Sequence, residues 1–327
     1  MSKQREPLVT HIFTADPSAH VFDGKLYIYP SHDLPHDGED NDNGDEYQME
    51  DYHVLSMDDI DAECVDNGEA LHEKDVPWVS HQMWAPDVAK ANGKYYLYFP
   101  ARDKDGIFRL GVAVSDSPVG PFKPEPNPIE GSHSIDPAVL VDDDNTAYIY
   151  YGGLWGGQLE KWETGKFDPN TPDPDPEGPA LGPMCAILND DMKSFKETPV
   201  MIKILDENGD PILAKDEDRR YFEGPWMHKY NGKYYLSYST GTTHYLVYAI
   251  SDSPMGPFTY AGRLMEPVIG WTTHHSIVEY KGKWYLFYHD CEFSNGVNHR
   301  RCVKFTEIEY NADGTIKTIH PYDHKEK

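Results

Sequence analysis

Cysteine is scarce in this chain, and long apolar runs are missing. The 327 residues include four Cys, at positions 64, 185, 291 and 302. They form no CxxC pair, which argues against a thiol-ligated zinc site. Such isolated cysteines fit free thiols in a reducing compartment better than a disulfide scaffold. No stretch reaches the ~18 apolar residues of a membrane-crossing helix. The opening MSKQREPLVT has no apolar h-region, so a cytoplasmic location is expected and a membrane is not an expected partner. Cations are also few, with 29 Lys and Arg against 56 Asp and Glu, a formal charge of -27. A field of that sign repels phosphate backbones, so nucleic acid is not an expected partner and a neutral substrate is favoured.

Aromatic and turn residues are plentiful. The chain has 23 Tyr, 7 Trp, 26 Gly and 26 Pro, and few windows carry the apolar period of a long amphipathic helix. That balance predicts an all-β fold. One pattern recurs five times: DPSAHVFDGKLYIYPSHD (16–33), APDVAKANGKYYLYFPARD (85–103), DPAVLVDDDNTAYIYYGG (136–153), GPWMHKYNGKYYLSYSTG (224–241) and HHSIVEYKGKWYLFYHD (274–290). Each copy reads as an apolar strand, a short turn at Asp-Gly, Asn-Gly, Asp-Asn or Lys-Gly, and an alternating aromatic strand that suits a half-buried position. GVAVSDSPVGPF (111–122) returns as VYAISDSPMGPF (247–258), a third strand leading to an outer one. A hairpin with two further strands is a four-stranded blade, and five such units close into a five-bladed β-propeller. A β-sandwich would not produce five equivalent hairpin openings. The predicted organisation is a single domain over 1–327 without a C-terminal β-sandwich. The last strands, in RRCVKFTEIEYNADGTIKTI, are expected to complete the fifth blade, with an N-terminal segment closing the ring.

The first strand of a propeller blade lines the central channel. Residues that open the five hairpins therefore converge: Asp16, the Trp84–Asp87 segment, Asp136, Glu223, and His274 or His275. Three carboxylates occupy related positions, in TADP, SIDP and FEGP. Proline after an acid is expected to hold it extended. Carboxylates near a sugar oxygen are the equipment of glycoside hydrolysis, one protonated for the leaving group and one ionised for water, with a neighbouring charge able to raise the pKa of the acid. Trp84 and Trp155 offer stacking faces for sugars, and His32, His274 and Arg301 offer hydrogen bonds.

Five motifs together, FTADPSAHVFDGKLYIYPSHD, QMWAPDV, GSHSIDPAVLVDDD, FEGPWMHKYNGKYYLSYS and HHSIVEY, resemble glycoside hydrolase family 43, five-bladed propeller enzymes that act on xylan and arabinan fragments. They fall within residues 11–290. The resemblance implies Asp16 as general base, Asp136 as the carboxylate that orients the acid and raises its pKa, and Glu223 as general acid. It implies a channel histidine, His274 or its neighbour His275, associated with calcium or another divalent ion. It also implies a sugar-contacting arginine, Arg301 or Arg300, and Trp84 as a subsite aromatic. The activity it implies is inverting and exo-acting, a β-D-xylosidase on short neutral xylo-oligosaccharides, with α-L-arabinofuranosidase as the alternative. A non-catalytic sugar-binding propeller would not need all three acids. A second subunit is a candidate for one pocket wall, so a homo-oligomer is an expected partner. Two segments are expected to be loops at the channel rim: the acidic 34–63, whose residues 39–50 only loosely resemble a calcium-binding loop, and the Pro-rich 166–183.

Overall fold

The computed structural model describes residues 3–271 and 273–323. Its strands form five sheets around a channel. The first blade runs β1 (Phe13–Phe22), β2 (Lys25–Asp33), β3 (Asp51–Met57) and β4 (Val65–His72). The second holds β5 (Val79–His81), β6 (Asp87–Ala91), β7 (Lys94–Asp103), β8 (Phe108–Ser115) and β9 (Lys123–Pro124), with β5 and β6 both paired to β7. The third contains β10 (Ala138–Val141), β11 (Ala147–Tyr151), β12 (Met184–Ile187) and β13 (Val200–Met201). In the fourth, β14 (Ile204–Leu205) adds in parallel outside β15 (Glu223–Tyr230), β16 (Lys233–Ser239), β17 (Leu246–Ser251) and β18 (Phe258–Met265). The fifth comprises β19 (His275–Tyr280), β20 (Lys283–Asp290) and β21 (Cys302–Ile308). The hairpin strands β1, β6, β10, β15 and β19 contact one another in a ring.

All five predicted hairpins form. Four close through two residues that both have positive φ, at Asp23-Gly24, Asn92-Gly93, Asn231-Gly232 and Lys281-Gly282. That geometry matches the twist of the flanking strands, and glycine adopts it without steric cost. The third hairpin differs from expectation. Val141 pairs with Ala147, which leaves a loop at 142–146 with Asn145 alone in the left-handed region. Without glycine the chain turns more widely. Asp142 at its start accepts from Lys229 Nζ at 2.9 Å and ties the loop to the next blade.

Each aromatic strand is buried on both faces rather than half-buried. Leu97 and Phe99 of β7 pack toward the first blade with Tyr29 and Tyr52. Tyr96 and Tyr98 of the same strand pack toward the third with Ile149 and Tyr151. Similar layers join the third and fourth blades around Tyr150 and Leu236, the fourth and fifth around Tyr248 and Leu286, and the fifth and first around Ile28 and Phe287. Sheet faces in a ring meet neighbours on both sides, so the period of two separates two apolar interfaces instead of core from solvent. Each buried aromatic or large aliphatic side chain contributes about 1.5–3 kcal/mol.

Ring closure follows the predicted outline with one change. The N-terminal segment runs along β21, with Arg5 N–H donating to Phe305 C=O at 2.8 Å and Leu8 N–H to Val303 C=O at 2.9 Å. The chain after β21 does not complete the fifth blade. After one bridge between Tyr310 and Ile316 it joins the end of β18 in the fourth blade, where Ile319 pairs with Met265. The acidic segment also divides. Residues 34–50 are irregular, whereas β3 and the approach to β4 occupy most of 51–63. Apolar Tyr52, Val54, Leu55 and Met57 bury that strand despite its acidic flanks.

Candidate active site

Three inner strands enter the channel through one backbone device. Asp16 (φ 47°) and Asp136 (φ 57°) stand directly before Pro17 and Pro137. In the fourth blade Gly224 (φ 64°) takes that place before Pro225, and the acid, Glu223, falls one residue earlier. The residue before proline is thus left-handed, not extended as expected. Aspartate enters this region more readily than bulkier residues, and glycine enters it freely. The turn forms part of a bulge, with the pairing register slipping between Ala15 and Ser18 in β1 and between Glu223 and Trp226 in β15. Such bulges re-aim side chains beside functional sites.

The strand starts open into a cavity of about 270 Å³. Asp16, Asp136, Glu223, His274, Arg301, Trp84 and Trp155 all line it. Arg300 does not, which selects Arg301 from the predicted pair. His274 likewise prevails over His275: its Nδ1 is 4.0 Å from Asp16 Oδ1 and 3.9 Å from Asp136 Oδ2. His275 is fully buried with Nε2 at 2.6 Å from Ser237 Oγ.

His32 is a correction. It does not line the cavity, and its Nδ1 lies 2.6 Å from Asp51 Oδ1. Strand alternation is the reason. Ser31 and Asp33, on either side of it in β2, turn toward the site, so His32 turns away. The 166–183 excursion is a second correction, because it contributes no lining residue. The wall comes from 34–50 alone of the two insertions, through Asp40, Asn41, Asp42, Glu46, Tyr47 and Met49. That loop is clamped on both sides. Asn298 Nδ2 donates to Asp40 Oδ2 at 2.7 Å, Gln82 Nε2 to Gly44 C=O at 2.8 Å and Trp84 Nε1 to Tyr47 C=O at 3.0 Å. Within 39–50, Asn41 Oδ1 accepts from Asn43 N–H at 2.9 Å, so this side chain shapes the loop itself.

Electrostatics separate the carboxylates. Burial pushes the pKa of Asp16 up, but Arg301, His289, His274 and a hydrogen bond from Ser31 outweigh it and hold the group below its ordinary value. Arg301 Nη1 donates to Asp16 Oδ1 at 3.0 Å, and Ser31 Oγ donates to Oδ2 at 2.6 Å. Glu223 moves the other way, to about 8, through burial and the negative charge of Asp16, with Arg301 opposing. Asp136 is also raised, by burial, Glu223 and Asp16, although Gly224 N–H donates to its Oδ2 at 3.0 Å. Asp136 and Glu223 are thus both pushed toward the protonated form, while Asp16 is held toward the ionised one. Burial keeps His274 neutral by lowering its pKa, against the pull of Asp16.

The groups that hold these residues in place lie outside the predicted set. Asp33 grips Arg301 in a two-pronged pair, Nε to Oδ2 at 2.9 Å and Nη2 to Oδ1 at 2.7 Å. His289 Nδ1 accepts from Asp16 N–H at 2.9 Å. A signal existed: the second strands of three hairpins end in SHD, ARD and YHD. In each the terminal acid meets a cation further along, Asp33 with Arg301, Asp103 with Arg109 and Asp290 with Lys304. Trp271 and Tyr47 also line the cavity and carried no sequence signal.

A divalent ion in the channel would find the imidazole of His274; His289 also lines the cavity, but its Nδ1 already accepts from Asp16 N–H. The neighbouring carboxylate, Asp87, is already engaged. Its Oδ1 accepts from Ser18 Oγ and Val88 N–H and contacts His20, and its Oδ2 accepts from Val139 N–H. Calcium takes about six to eight oxygen ligands, so water would fill most of the shell of an ion at His274. Such an ion would supply positive charge beside Asp16 and Asp136. Among the described residues, one other His/Asp group can coordinate a divalent ion: His32, Asp51 and His53.

The model of glycosyl hydrolases family 43 matches residues 7–316. The chain belongs to this family. It is a glycoside hydrolase of the five-bladed propeller type. Among curated family 43 relatives, xylosidase/arabinosidase 43A of Humicola insolens is 63% identical over 324 residues, covering 96% of this chain and 99% of that one. A xylosidase/arabinosidase of Bacteroides ovatus is 54% identical, covering 99% and 100%. Among solved family 43 structures, a β-xylosidase/α-arabinofuranosidase from a compost metagenome, in calcium-free complex with xylotriose, superposes with TM-score 0.96 at 62% identity, covering 98% of each chain. The GH43_1 enzyme of Xanthomonas citri with xylotriose gives 0.92 at 55% identity, covering 97% and 93%.

Proposed function

We propose that this family 43 enzyme is an inverting, exo-acting β-D-xylosidase that releases xylose from the non-reducing ends of short xylo-oligosaccharides, with 1–327 working as one catalytic domain. The observation that carries this reading is the convergence of Asp16, Asp136 and Glu223 in one walled cavity, with Asp16 paired to Arg301 at 3.0 Å and its pKa lowered, and Glu223 pushed up to about 8. Asp16 takes a proton from water as its oxygen bonds to the anomeric carbon. The bond to the leaving oxygen breaks, and Glu223 gives that oxygen its proton. Asp136 fixes the turn behind Glu223 through Gly224 N–H, while burial and the charge of Asp16 keep the acid's pKa up. Trp84 and Trp155 flank the sugar, and Arg301 presents guanidinium N–H groups to it. The 34–50 loop closes one side, which suits an enzyme that accepts a chain end.

A second reading, α-L-arabinofuranosidase, is favoured by the double names of the relatives. Rates on p-nitrophenyl β-xyloside, p-nitrophenyl α-arabinofuranoside and linear arabinan test both. The proposal expects the highest kcat/KM on the xyloside. Faster turnover of the arabinofuranoside would transfer the assignment to the second reading, and activity on arabinan alone would overturn both.

A further inference from the structure

Outside the catalytic cavity, imidazoles and carboxylates alternate across three adjacent strands of the first blade. His32 lies next to the end of β2, Asp51 and His53 lie in the first three residues of β3, and Asp66 lies in β4. His32 Nδ1 is 2.6 Å from Asp51 Oδ1, and His53 Nε2 is 3.7 Å from Asp51 Oδ2. The other nitrogen of His53, Nδ1, is 2.9 Å from Asp66 Oδ1. Asp66 is itself held by Gly68 N–H at 2.8 Å and lies against His11 Nε2 at 2.7 Å.

We propose that His32, Asp51 and His53 form a divalent-cation site, distinct from the channel, that takes an ion of the zinc or cobalt type in preference to calcium.

The geometry supports this in four respects. The candidate ligand atoms lie within 4.8 Å of one another. A tetrahedral ion with bonds of ~2.0–2.1 Å brings its ligands to about 3.4 Å apart, a change that side-chain rotation supplies. Cross-strand pairing fixes the backbone beneath them, since Ser31 pairs with Tyr52 and sets His32 beside Asp51. Asp66 occupies Nδ1 of His53 and turns Nε2 toward Asp51, the carboxylate–histidine arrangement that orients metal-binding imidazoles. The three side chains are 12–16% exposed, which gives an ion a path in and leaves a position for water.

Ligand chemistry sets the preference. Two nitrogens and one carboxylate suit zinc or cobalt, whereas calcium seeks many oxygens. Asp51 and Asp66 raise the pKa of His53 to about 9, so an ion enters by displacing the proton this imidazole carries, and the two carboxylates then offset the dication. His274 is not a member, so the channel ion and this one are separable.

The test uses the whole chain stripped of metal, titrated with Co²⁺ by visible absorption and with Zn²⁺ by calorimetry. Wild type is compared with His32→Gln and His53→Gln, whose folding is checked by thermal melting. Any ion held by His274 is common to all three and cancels. The proposal expects wild type to bind one equivalent more than either variant, with excess Ca²⁺ failing to displace it. Asp66→Asn is expected to keep that equivalent at about 10–100-fold lower affinity. If His53→Gln does not fold, His32→Gln decides alone, because it removes a donor at a strand end. Equal uptake by wild type and a folded His32→Gln variant overturns the site, and displacement by Ca²⁺ overturns its selectivity.

Discussion

Arg301→Met removes the one cation that joins Asp16 to Asp33. In the native site both carboxylates are buried and both lie within 3.0 Å of the guanidinium. Removing one partner of a buried ion pair costs about 3–5 kcal/mol, mainly because the remaining charge is left without compensation. Ser31 and His289 still reach Asp16, so the lower half of that range is expected. The effect depends on pH. In wild type the pKa of Asp16 is lowered, so its contribution to stability is present above its unfolded value and is lost as pH falls through the folded one. Without Arg301, burial raises that pKa, and ionised Asp16 then costs stability near neutrality. Urea unfolding at pH 7 and pH 4.5 is expected to show the gap between wild type and variant narrowing in acid. The acid limb of kcat/KM is expected to move up by about 1–3 pH units. A loss of less than about 1 kcal/mol at pH 7, the scale of an exposed pair, with an unmoved acid limb, would refute the reasoning. Arg301→Gln, which also removes the charge but keeps hydrogen-bonding groups, serves if the methionine variant does not fold.

Three further outcomes follow from the same site. Asp16→Asn is expected to lower kcat by about 10²–10⁴-fold on xylobiose, and a value within about threefold of wild type would remove Asp16 as base. Glu223→Gln is expected to harm xylobiose hydrolysis far more than hydrolysis of an activated aryl xyloside, whose leaving group needs little protonation; equal losses would count against Glu223 as acid. The alkaline limb is expected near pH 8, where Glu223 loses its proton. Asp136→Asn replaces a carboxyl that burial and the charge of Glu223 push toward its protonated form and that fixes Gly224 N–H, and is expected to move that limb, whereas an unchanged profile would separate Asp136 from Glu223.

The hairpins were legible because glycine turns and alternating aromatics are local signals. The outer strands were not. β9, β13 and β14 have two residues each and pair at blade edges, where little apolar periodicity is required. β3 lay within an acidic segment whose charges belong to its flanks. The three acids were legible as a repeated Asp-Pro or Glu-Gly-Pro, but the left-handed turn that aims them was not, since proline alone suggests an extended neighbour. His32 was misplaced because sequence proximity to Asp33 does not say which face of β2 either side chain takes. Asp33 and His289 act through residues more than 260 positions away in the chain, a pairing that only the closed ring creates.

The central claim is that Asp16 and Glu223 perform a single inverting displacement at a chain end. Proton NMR of the first turnovers on xylotriose tests it directly. Inversion at a β-linkage delivers xylose as the α-anomer, and a walled pocket delivers xylose and xylobiose from the outset, with xylose from the non-reducing end. α-Xylose is expected first, mutarotating afterwards. Initial β-xylose would contradict the mechanism.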